Sequence, residues 1–97
     1  MSEAIKLGIH SGKDGKIFSF NKYNCSVDNG GYFVVRKRNR EIQGIFNGDS
    51  LLLMQIDLDN FYARTSVLKL KEEKDGLRRY IGNCLTTNSF IGVRVSK

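Results

Sequence analysis

Proline and tryptophan are absent from this 97-residue chain, histidine occurs once and cysteine twice. Cys25 and Cys84 are too few for a disulfide scaffold, and neither has a second Cys or a His at metal-ligand spacing, so reduced structural thiols are expected. With His10 the sole histidine there is no H-E-x-x-H motif and no plausible Ser-His-Asp set. Phosphate-cradling and dinucleotide-binding glycine loops are missing too. No apolar run approaches the ~18 residues that a membrane-crossing helix needs. Met1-Ser2-Glu3-Ala4 lacks the basic stretch and apolar core of a signal peptide, which makes a cytoplasmic location the expectation. The length suits one domain, since most domains hold roughly 100 to 150 residues.

What is present is positive charge. Sixteen Lys and Arg against ten Asp and Glu leave a net charge of +6, so a polyanion is the expected partner. Nucleic acid comes first, with an acidic protein or a membrane surface second. Hydrophobic residues make up 40% of the chain and charged residues 27%, which fits a folded globular protein and neither a disordered chain nor a coiled coil.

Turn signals recur at short intervals: Ser11-Gly12-Lys13-Asp14-Gly15, Asp28-Asn29-Gly30-Gly31, Asn47-Gly48-Asp49, Asp59-Asn60 and Asp75-Gly76. Segments of strand length lie between them. Ile17 to Phe20, Tyr32 to Val35, Leu51 to Ile56, Thr65 to Leu70, Tyr80 to Gly82 and Phe90 to Val95 are β-branched, aromatic or alternating. Residues 60–74 also admit a helix capped by Asp59 or Asn60, but Thr65-Ser66-Val67 is a weak helix-forming trio and the apolar spacing breaks at the middle turn. Strand is the expectation there, and an all-β barrel or sandwich for the whole.

Two groups of side chains invite a functional reading. Asp57-x-Asp59, near Asp49, would aim carboxylates to one face of a strand, as metal-assisted phosphoryl chemistry requires, although a polar turn explains the same residues and no further ligand supports a metal. The stronger group is aromatic and basic. Lys16, Phe18 and Phe20 alternate along one strand and share a face, while Phe33 precedes Arg36, Lys37, Arg38 and Arg40 on the next strand. Rings for stacking beside cations for phosphates suit single-stranded nucleic acid. By pattern alone Phe18 and Phe20 read rather as the core face, with Ser19 and Asn21 turned to solvent.

Lys16-Ile17-Phe18-Ser19-Phe20 resembles the K-G-F-G-F motif of cold-shock domains, and Gly31-Tyr32-Phe33-Val34-Val35 stands where the family has its second motif. Ile42 to Asp49, followed by Leu51-Leu52-Leu53, is similar to the family's turn and G-D strand, and Arg64 to Leu70 to its closing strand. The nearest likeness is to the cold-shock modules of ribonuclease II and R exonucleases, in which Tyr80-Ile81-Gly82-Asn83 would open a second module. Ile17 and Ser19 replace both motif glycines, and Val35 the family histidine. The resemblance implies a five-stranded OB-fold barrel over residues 1–71, with residues 72–97 as extra strands packed on the same domain. It also turns Phe18 and Phe20 outward and makes the chain a single-stranded RNA or DNA binder without chemistry of its own, requiring no cofactor or metal. Stacking would fall to Phe18, Phe20 and Phe33, and phosphate contact to Lys13, Lys16, Arg36, Lys37, Arg38 and Arg64. A larger nuclease or ribonucleoprotein assembly is a further expected partner, and no membrane. The alternatives are a protein-interaction or inhibitor module on a small β-barrel and, last, a metal-dependent nuclease using Asp49, Asp57 and Asp59.

Overall fold

The computed structural model describes residues 3–14 and 16–97, with the Phe18 side chain outside the described set. Eight strands follow in order: β1 (Glu3–Lys13), β2 (Lys16–Val27), β3 (Tyr32–Lys37), β4 (Arg40–Asn47), β5 (Ser50–Asp57), β6 (Tyr62–Lys74), β7 (Leu77–Cys84) and β8 (Phe90–Ser96). Every pairing is antiparallel, and the strands form one sheet in the order β2-β1-β8-β7-β6-β5-β4-β3. Chain neighbours are sheet neighbours throughout except at two places. β1 pairs with β8, which joins the two ends of the chain, and β2 and β3 stand at opposite edges.

The contested segment is strand β6, so the all-β expectation holds. The five-stranded barrel does not appear as a separate closed unit among the described residues. β1 pairs only with β2 and β8, β3 only with β4, and the expected boundary at residue 71 falls inside β6. The physical reason lies in the hairpins. Asp75-Gly76 places both residues at positive φ, the backbone that closes a two-residue antiparallel turn, so β7 returns along β6 and extends the same sheet. Between β2 and β3, Asp28 Oδ1 accepts the N–H groups of Gly30 and Tyr32 at 2.9 and 3.0 Å, and Gly31 takes φ of 84°. That loop leads the chain across the seam without a ladder.

The sheet curls so that one face of each strand is shared inside. Ile5, Leu7, Ile9, Tyr23, Phe33, Ile42, Leu51, Leu53, Leu68, Tyr80, Ile91, Val93 and Val95 form one buried cluster. Alternation on β1 and β8 supplies it with Ile and Leu, then Ile and Val, at every second residue. Phe33 lies over Gly44, where a Cβ would overlap its ring, and packs 5.4 Å from Phe46, which in turn sits 5.6 Å from Tyr80. Both cysteines are free, Cys84 buried and Cys25 half-buried.

Inward side chains change character toward one end. On β1, Ile9 gives way to Ser11; on β2, Tyr23 to Asn21 and Ser19; on β5, Leu53 to Gln55 and Asp57; on β6, Leu68 to Ser66 and Arg64. At that end the curled sheet opens in a polar mouth. Asp57 anchors its rim as a turn: Oδ1 accepts the N–H groups of Asp59 and Asn60 at 3.0 and 3.2 Å, and Oδ2 accepts the Asn60 side-chain amide at 3.0 Å. These bonds, led by the Asn60 amide, hold the Asp57 carboxyl below its ordinary range.

Candidate nucleic-acid interface

The structure separates the residues singled out from the sequence. Phe20 stands outward on β2, 48% exposed, and its neighbours Ser19, exposed, and Asn21, half-buried, line the polar mouth on the opposite face. That corrects the pattern-based reading of Phe20 as core, while Ser19 and Asn21 suit the open, polar end of the sheet that they line. The Phe18 side chain is outside the described residues. Phe33 is 1% exposed and belongs to the core, which removes it from the stacking set. Its strand is not beside β2 either, so the expected plate across adjacent strands does not form.

The cations divide likewise. Lys13 and Lys16 face each other at the end of the β1–β2 hairpin, exposed. Arg36 donates to Glu41 Oε1 at 2.9 Å, and this bond, after one from Gln43, keeps the Glu41 carboxyl low; the Arg36 charge is thus matched locally. Lys37 Nζ lies 5.7 Å from the Tyr23 ring centre near the mouth, and Arg38 occupies the β3–β4 turn at φ of 58°. The Arg64 guanidinium lies 5.5 Å from the Tyr62 ring and lines the mouth.

A different aromatic row assembles around Phe20. Across β2, β1 and β8 the outer face carries Phe20, His10 and Phe90. The Phe20 and His10 rings are nearly parallel, 19° apart with centres 6.1 Å apart, and Phe90 follows at 5.8 Å and 43°. Two glycines make room for the Phe20 and His10 rings. A Cβ at Gly8 would stand 3.2 Å from Phe20 Cζ, and one at Gly92 would overlap the His10 ring. The Phe20 and His10 rings therefore lie against the Gly8 and Gly92 backbone.

Cations border the row. Lys22 Nζ is 5.7 Å from the Phe20 ring centre, and Lys22 and Arg94 both pair with Gly8 in the ladders. Arg79 pairs with Arg94 on the next strand and reaches Glu72 at 3.7 Å. Partial burial, then the Arg94 and Arg79 charges, push the His10 pKa below its ordinary value of 6.5, so the ring is neutral at pH 7. Its Nδ1 has no hydrogen-bond partner among the described residues. The arrangement places uncharged rings among cations, the combination that suits stacked bases and their phosphates.

Sequence reasoning missed His10, Phe90, Arg79, Arg94 and the two glycines. The signal was there in Ile5, Leu7 and Ile9, whose alternation puts Lys6, Gly8 and His10 on the opposite face. The other half of the outer face differs in kind: Tyr32, Ile45, Leu52 and Val67 form an uncharged row across β3 to β6, each about two-fifths exposed. No protein-family model, curated protein or solved structure matches this chain.

Proposed function

We propose that the chain binds single-stranded nucleic acid, RNA first, on the outer face of β2, β1, β8 and β7. The observation that carries this is the pair of near-parallel Phe20 and His10 rings over Gly8 and Gly92, with Phe90 tilted beside them and Lys22 and Arg94 at the border. Bases stack on the rings and phosphates follow the cations, while a duplex keeps its base faces covered. The net charge of +6 draws the strand in. The cold-shock resemblance lends support through Lys16 to Phe20, which run along β2 to the start of the row; the eight-stranded sheet supplies the platform where an OB barrel would use its first three strands. No catalytic step belongs to this proposal. Asp57 holds a turn, and labelled RNA and DNA should remain intact with magnesium or manganese.

Fluorescence anisotropy with single-stranded RNA, single-stranded DNA and duplex at two salt concentrations tests it. Single strands should bind better than duplex, with a log-log salt slope of about −0.7 per phosphate contacted. Equal, salt-insensitive binding would reject the proposal.

A second reading, a protein-interaction module, is favoured by the Tyr32, Ile45, Leu52 and Val67 row. With no charge in that row, two copies of a chain of net charge +6 meet there without opposing like charges. Sedimentation velocity should then show a dimer that Leu52→Glu abolishes.

A further inference from the structure

The mouth of the curled sheet encloses a cavity of about 290 Å³. That is near the lower end of the ~300 to 1,000 Å³ usual for small-molecule sites. A strand end built only for packing would keep its apolar alternation or be filled by neighbours. Here the inward positions of β1, β2, β5 and β6 turn polar toward one end, and the space that they line is left open.

The groups lining it have a definite chemistry. Arg40 from β4 and Arg64 from β6 both reach the cavity, and neither forms an ion pair among the described residues. The one carboxylate in the lining, Asp57, already accepts three hydrogen bonds from its turn. Two guanidiniums thus face a single engaged anion. Gln55 adds an amide whose buried Oε1 has no partner among the described residues, and Asn21 adds a second amide on the facing wall. Tyr23 contributes a ring, with Lys37 over its face.

We infer that this cavity binds the sugar-phosphate portion of a small phosphate monoester. Arg40 and Arg64 hold the phosphate with charge-assisted hydrogen bonds, for which guanidinium geometry is suited. Gln55 and Asn21 meet the sugar hydroxyls, each able both to donate and to accept. A free sugar phosphate or nucleotide and the phosphorylated end of a nucleic-acid strand present the same chemistry. The cavity uses none of the outer ring row, so this site and the stacking face stand or fall separately.

The test is a titration of the full chain followed by amide chemical shifts, using ribose 5-phosphate, ribose, inorganic phosphate, a nucleoside monophosphate and a 5′-phosphorylated oligonucleotide. Ribose 5-phosphate should shift Asn21, Gln55 and Arg64 saturably, with ribose and inorganic phosphate each weaker by about tenfold or more. Arg40→Gln and Arg64→Gln should each weaken it by about tenfold, while Phe20→Ala leaves it unchanged. Tighter binding of the mononucleotide identifies a free metabolite as the ligand, and tighter binding of the oligonucleotide at these same signals identifies a strand end. Absence of shifts at the mouth, equal binding of inorganic phosphate, or unchanged affinity in folded Arg40→Gln and Arg64→Gln variants would overturn the inference.

Discussion

Two phenylalanines illustrate how little residue type alone decides. Phe20 and Phe33 carried the same expected role, yet one lies on glycine at the outer face and the other beneath Gly44 in the core. Truncation separates them. Phe33→Ala should cost ~3–5 kcal/mol of folding stability through cavity formation, and Phe20→Ala should leave the melting temperature nearly unchanged. Chemical denaturation of the two variants checks this. His10 gives a pH signature. Because its folded pKa lies below 6.5, the unfolded chain takes up the proton first, and stability falls as pH drops through 6.5 toward the lower folded value. His10→Gln should remove that component of the acid loss, measured as the difference between the two melting profiles at pH 7 and pH 5.

At the scale of elements, strand positions were legible because turns and alternation are local. Asp75-Gly76, Asn47-Gly48-Asp49 and Asp28 to Gly31 each mark a connection that the structure contains. Gly76→Ala tests one of them: at φ of 80° an L side chain is strained, so the variant should lose about 1–2 kcal/mol while oligonucleotide affinity stays constant. Less legible was which face of β2 points inward. Its parity depends on pairing with β1, where His10 lies opposite Phe20 and Ile9 opposite Asn21, and β1 went unread as a strand. The floor of the ring row shares that origin, since Gly8 and Gly92 acquire meaning only once a ring from the next strand covers them. Gly92→Val should displace the His10 ring and weaken oligonucleotide binding by ~1–3 kcal/mol, the range for losing one stacking partner.

For the molecule as a whole, local pattern could establish all-β architecture but not the order of strands in the sheet. β1 pairs with β8, residues from the two ends of the chain, and no turn residue announces a contact of that sequence separation. The same pairing builds the proposed binding face: Phe20, His10 and Phe90 come from β2, β1 and β8, so the row exists only after the ends meet. The mouth likewise draws Asn21, Arg40, Gln55 and Arg64 from four strands. Charge, by contrast, is a property of composition and was readable directly.

The most direct measurement of the central claim is anisotropy of labelled single-stranded RNA with the wild-type chain, Phe20→Ala and His10→Ala at low salt, alongside their melting temperatures. Each variant should weaken binding by about 1–3 kcal/mol with little change in stability. Wild-type affinity in both folded variants, or no RNA binding by the wild-type chain, would contradict the account.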